Sequence, residues 1–152
     1  EPVIESAMFE GLCPILVVPG PGHAMTAPKR IVIGWNESRE ALVAVKAALP
    51  LLAQADLVHV VVVDPPSHGP SRSDPGGPLS QYLARHGVRA EIDVLSKTLP
   101  RISDVLIRHA NDVNADLLVM GAYGHSRFRE AILGGATRNM LEQSEQTVFM
   151  AH

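Results

Sequence analysis

A chain of 152 residues falls within the usual range for one domain and can bury a sizeable core. Its 46% hydrophobic and 19% charged residues exclude the disordered, collagen-like and coiled-coil classes and point to a soluble globular domain. The net charge of −3, from 13 Lys+Arg against 16 Asp+Glu, provides no global basic field for nucleic acid or an anionic membrane, so any anion site has to be local.

Glu1-Pro2 does not open a signal peptide, and the apolar run at Val60 to Val63 is far short of the roughly 20 residues that span a bilayer. Cys13 is the only cysteine, which excludes a disulfide framework and a thiolate zinc site and fits a reducing cytoplasm. With no evident base beside it, Cys13 reads as a buried, inert thiol.

The chain opens on a partial repeat. Displaced by 132 positions, Ala7 to Val18 (AMFEGLCPILVV) falls on Asn139 to Met150 (NMLEQSEQTVFM), with Met8 on Met140, Glu10 on Glu142 and Ile15 to Val18 on Thr147 to Met150. Two short apolar segments can coincide by chance. Alternatively, residues 1–20 are the helix end and strand of a preceding copy, residues 21–28 a linker, and residues 29–152 the domain itself.

From Lys29 onward strand alternates with helix. Arg30 to Gly34 and Leu57 to Val63 are β-branched runs with almost no polar alternation, as in strands covered on both faces. Between them Leu42, Val45, Leu49 and Leu52 recur at helical spacing, with Asn36 or Ser38 as cap and with Pro50 expected to kink or shorten the helix. Asp64 to Gly77 carries too much Pro, Gly and Ser to pack and reads as a mobile excursion. Pro78 starts a short second helix that Gly87 stops, with Leu79, Tyr82 and Leu83 on one face.

Val88 to Leu95 alternates apolar with charged residues, which suits a strand near a sheet edge. Pro100 opens a third helix that buries Ile102, Val105, Leu106, His109 or Ala110, and Val113. Asp116 to Gly121 is a core strand, Ala136 to Ser144 a helix and Thr147 to Ala151 the last strand. Such alternation with short connections demands an α/β fold with a parallel sheet, right-handed crossovers and helices on both faces. Ligands of these sheets bind beyond the carboxyl ends of the strands, here Gly34 to Asn36, Val63-Asp64 and Gly121 onward.

The third of these ends carries the motif. Gly121 and Gly124 follow a strand, and after nine residues Gly134-Gly135-Ala136-Thr137 opens a helix. Glycine allows close backbone approach, and free N–H groups at a helix N-terminus form a nest for phosphate. Ser126, Arg127, Arg129 and Thr137 add donors and positive charge to that stretch.

Lys29 to His152 resembles a universal stress protein domain, whose glycine motif G-2X-G-9X-G-[ST] is matched in its intervals by Gly121, Gly124 and Gly134. IVIGWNESREA (31–41) resembles the first strand and turn of that family, DLLVM (116–120) its fourth strand, and GAYGHSRFREAILGGAT with the ending TVFMAH the second half of its tandem bacterial members. The resemblance implies an open five-stranded sheet in the order 3-2-1-4-5, of the adenine nucleotide alpha hydrolase-like type, with an extra N-terminal strand at the last-strand edge. It further implies dimerisation or pseudo-dimerisation through Thr147 to Ala151 and Ile15 to Val18, a cytoplasmic stress-response role and, in some members, bound ATP or another adenine nucleotide, with Mg²⁺ as its companion ion.

Carried over, the adenine and ribose region is Gly34, Trp35, Asn36 and Val62, with Met120 and Gly121 beneath; the phosphate cradle is Gly124, Ser126, Gly134, Gly135, Ala136 and Thr137. His125, inside the loop, is the histidine to test for a phosphate contact. Two departures weaken the site. Gly135 stands where the family has a hydroxyl residue, and Asn36 where it has an acid that could help hold Mg²⁺.

Three functions follow: a weak adenine-nucleotide sensor, a dimerising interaction domain with an empty or Trp35-blocked pocket, and a slow ATPase for which Glu37 and His125 are the only nearby candidate bases. No catalytic residue is assigned. The seven histidines contain no pair at i, i+3 or i, i+4, so the spacing supports no helix-borne metal site and no metal ligand is assigned. His59 and His109 read as satisfied core or boundary residues.

Overall fold

The structure is a computed structural model that describes residues 2–21, 26–69, 73–123 and 135–152. Central to it are three parallel strands, β2 (Arg30–Gly34), β3 (Leu57–Val63) and β5 (Leu117–Gly121), whose interior residues are buried on both faces. Strands buried on both faces cannot meet water on either side, so helices must cover both faces of this sheet.

Two edges complete it. β4 (Ala90–Leu95) pairs in parallel with β3, and β6 (Thr147–Ala151) with β5, while the short β1 (Ile15–Val17) adds antiparallel to β6. The sheet order is β1-β6-β5-β2-β3-β4. With β1 set aside, this is the 3-2-1-4-5 order and the extra edge strand that the sequence implied.

Helices α2 (Arg39–Gln54) and α3 (Gly77–Arg85) cover one face, where Ala44, Val45, Leu52, Leu79 and Leu83 meet Ile31, Ile33, Val60 and Val119. The other face holds Val32, Val61, Leu118 and Met120 beneath α4 (Ile102–Asp112), α5 (Gly135–Gln143) and α1 (Pro2–Phe9), through Leu106, Ala110, Met140 and Met8. A buried polar knot also joins α5 to α4. Asn139 Nδ2 donates to Ser103 Oγ at 2.9 Å and Asp104 Oδ1 at 2.6 Å, and Arg101 donates to Asn139 Oδ1.

Ser38, not Asn36, caps α2, its Oγ accepting from the Ala41 N–H at 3.1 Å. Asp116 ties the far ends of the central strands together, its Oδ2 accepting the backbone N–H groups of Lys29 and Arg30 at 2.8 and 2.9 Å.

Four expectations change, and Ile102, expected on the buried face of the third helix, is 45% exposed as its first residue. Pro50 does not shorten α2, which runs on to Gln54 because Leu52 is fully buried beyond it while the proline ring faces solvent. Cys13 is exposed rather than buried, in the turn between α1 and β1, where its Sγ lies 3.1 Å from the Gly11 carbonyl. Strand β4 begins at Ala90, two residues later than the alternation predicts, because Val88 closes the turn after α3 by donating its N–H to the Leu83 carbonyl.

Among the described residues no helix is long and apolar enough to cross a membrane. Pro50→Ala restores a donor inside α2 and removes the ring's clash with the preceding turn, partly offset by the freer unfolded chain. It should raise unfolding free energy by about 2 kcal/mol, read from the urea midpoint at unchanged slope.

Candidate functional site

At the carboxyl ends of β2, β3 and β5 the chain leaves the sheet through strained residues. Glu37, Asp64 and Tyr123, just past those strands, have φ of 61°, 45° and 59°. They are three of the five non-glycine positive-φ residues among those described. Such conformations cost of order 1–3 kcal/mol each and persist only where surroundings over-determine them. Each here is held. Asn36 Oδ1 accepts the Ser38 N–H at 3.1 Å around Glu37, Asp64 donates its N–H to Leu95 and accepts from Lys97, and Tyr123 donates its N–H to Thr137 Oγ1 at 3.3 Å.

Gly34 and Gly121 sit at the ends of neighbouring strands, and a side chain at either would meet a packed neighbour. A Cβ on Gly121 would lie 2.5 Å from the Ala41 nitrogen and 2.6 Å from the Glu40 carbonyl carbon, so the first turn of α2 rests directly on the end of β5. A Cβ on Gly34 would meet Leu106 Cδ1 at 2.9 Å, on the opposite face. The residues assigned to adenine and ribose are therefore divided by the sheet. Trp35, Val62 and Gly121 belong to the α2 and α3 side, whereas Gly34 and Met120 belong to the α4 side.

Trp35 is half-buried against the core and fixed by its N–H to the Val61 carbonyl at 2.9 Å. Val62 is only 6% exposed, packed beneath the turn at Gly76. Asn36 is exposed, and its carbonyl oxygen is engaged in its own turn.

Of the phosphate cradle, Gly124, His125, Ser126 and Gly134 lie outside the described residues. Gly135 and Ala136 begin α5 and are exposed, and a Cβ on Gly135 would meet nothing within 4 Å. Thr137 is 2% exposed, and its hydroxyl braces α5 against the exit of β5. A groove of about 690 Å³ runs between α4 and α5, lined by Arg101, Asp104, Arg108 and Asn139 among others.

Residues 28–152 match the model of the universal stress protein family. The chain belongs to that family. A universal stress protein of Synechocystis sp. (strain ATCC 27184 / PCC 6803 / Kazusa) is 30% identical over 103 residues, covering 68% of this chain and 34% of that protein. Among solved structures, a universal stress protein from Archaeoglobus fulgidus DSM 4304 superposes with a TM-score of 0.70 at 16% identity, covering 91% of this chain and 49% of that one. The chain thus spans a third to a half of the length of these two relatives. A universal stress protein in complex with cAMP superposes with a TM-score of 0.59 at 21% identity, covering 84% of this chain and 98% of that one. These likenesses establish the α/β fold.

Because backbone rather than a side-chain tip opposes a Cβ at position 121, Gly121→Ala must displace the start of α2. It should destabilise by about 1–3 kcal/mol in urea denaturation. Gly34→Ala, opposed by the flexible end of Leu106, should cost clearly less in the same assay.

Proposed function

We propose that this universal stress protein domain binds an adenine nucleotide, ATP or a cyclic relative, as a stress-response sensor in the cytoplasm. The observation that carries the reading is the start of α5. Gly135, the first residue described in that helix, is exposed, and Thr137 two residues on accepts the N–H of Tyr123 at the strained exit of β5. A helix N-terminus so placed offers free N–H groups and a favourable dipole to phosphate. The family motif at Gly121, Gly124 and Gly134 and the cAMP complex of a structural relative support the same ligand class.

Binding is weak in this proposal. Gly135 supplies its backbone N–H but no hydroxyl, and a hydrogen bond to a charged group is worth about 1.5–3 kcal/mol. Asn36 brings no carboxylate for Mg²⁺, and its oxygen is already used by the Ser38 N–H. The dimerising interaction domain is the second reading, favoured by the buried Thr137 and by Trp35 resting on the core beside the crevice.

Trp35 is the only tryptophan and reports on the crevice. Titration with Mg²⁺-ATP or cAMP should change its emission, and Gly135→Ser should tighten binding by about tenfold to a hundredfold. Unchanged emission with no calorimetric heat at millimolar nucleotide would leave the interaction domain as the function.

The edge strand supports an assembly as well. Under the 132-residue displacement Leu16 corresponds to Val148 and Val17 to Phe149, and Leu16 pairs with Phe149 while Val17 pairs with Val148. Exchange of partners under the repeat is the mark of a two-fold contact. The proposal reads residues 1–20 as the helix end and strand of a preceding copy, residues 21–28 as the linker, and the β1–β6 pair as the pseudo-dimer or dimer contact. Deleting residues 1–20 frees the β6 edge and should lower Tm and raise the mass measured by light scattering. An unaltered mass and Tm would refute this assembly.

A further inference from the structure

Away from the crevice, on the sheet face beneath α4, three chemistry-bearing side chains converge from three elements. His59 lies in β3, Asp93 in β4 and His109 in α4. His59 Nδ1 is 2.8 Å and His109 Nε2 2.7 Å from the same carboxylate oxygen, Asp93 Oδ2. All three atoms lie within 4.8 Å of one another. The two imidazoles stand nearly perpendicular, at 81° with ring centroids 6.0 Å apart, so their edges rather than their faces meet at the carboxylate. The side chains of His59, His109 and Asp93 are 10%, 16% and 24% exposed. Asp93, on the edge strand, is the opening to solvent.

We propose that His59 Nδ1, Asp93 Oδ2 and His109 Nε2 form a site for a divalent transition metal of the zinc type, with one coordination position left open toward the β4 edge. Two imidazoles and a carboxylate are the ligand set of open zinc and non-haem iron sites, and nitrogen donors disfavour Mg²⁺ and Ca²⁺. In the hydrogen-bonded form each nitrogen that faces Asp93 Oδ2 carries a hydrogen. A metal takes the place of both, and each neutral imidazole keeps its one hydrogen by carrying it on the other ring nitrogen.

Two of the three ligand-atom pairs need only open slightly. Bonds of about 2.0–2.1 Å in a tetrahedral site set the ligand atoms about 3.3 Å apart, against 2.7 and 2.8 Å here. Rotations of Asp93 and His109, neither fully enclosed, supply that opening. Backbone geometry already aligns the strand ligands: His59 is in register with Glu91, so Asp93, two residues on, shares its face of the sheet. This inference is independent of the nucleotide crevice, since none of the three residues belongs to it.

The test uses Zn²⁺ and Co²⁺ on the whole chain. Calorimetry should give one Zn²⁺ per chain, and Co²⁺ should develop visible ligand-field bands that Zn²⁺ abolishes. Asp93→Asn and His109→Gln, checked for fold by circular dichroism, should each weaken Zn²⁺ binding at least tenfold. The double variant His68→Ala/His86→Ala, which removes exposed histidines, should bind as the parent does. Should Asp93→Asn or His109→Gln misfold, the cobalt bands of the parent and of His68→Ala/His86→Ala decide alone. Absence of cobalt bands in the parent overturns the site. So does binding that survives both triad substitutions, or that disappears with His68 and His86.

Discussion

The close seating of the first turn of α2 on the end of β5 is the contact on which the crevice depends. It exists because residue 121 has no side chain: a Cβ there would stand 2.5 Å from the Ala41 nitrogen. With that contact made, the turn after β2 has little freedom. Asn36 closes it through the Ser38 N–H, Ser38 caps the helix, and Glu37 is driven into a positive φ between them. Strain at Glu37 is thus the local cost of bringing a helix N-terminus over the strand ends.

The same logic governs the other exit. Tyr123 is held at φ 59° by the Thr137 hydroxyl, while Ala122 joins the last strand through the Ala151 carbonyl and the His152 ring. Phe9 packs against both Tyr123 and His152, with ring centroids 5.0 and 4.8 Å away. The N-terminal segment therefore buttresses the turn that leads into the glycine motif. Met8, 1% exposed beside it, contributes about 1.5–3 kcal/mol by its burial, which is enough to hold a short helix that would not be stable alone.

The candidate sites draw on different resources of one fold. The proposed crevice uses backbone: the first turn of α5 and the forced turns at the strand ends. The His59, Asp93 and His109 cluster uses side chains that the parallel register and the crossing of α4 bring to one point. Glycines serve the first chiefly by letting helices sit close to the sheet, which is why Gly34 and Gly121 act in packing before they act on any ligand.

By itself the sequence determined the strand runs, the five-strand order through its resemblance to a family, the N-terminal edge strand and the glycine motif. The strand runs and the glycine motif are properties of local periodicity and short-range spacing, whereas the strand order is what the resemblance implied. Only the tertiary structure decided how far α2 runs past Pro50, because the burial of Leu52 outweighs a missing hydrogen bond whose loss faces solvent. It also decided that Cys13 is exposed and that Thr137 is a strut, since both follow from what packs alongside. The metal-ligand cluster lay beyond sequence spacing altogether. Residues 59, 93 and 109 share no helix turn or strand, and they meet only because a parallel sheet sets β4 beside β3 and a right-handed crossover lays α4 across them.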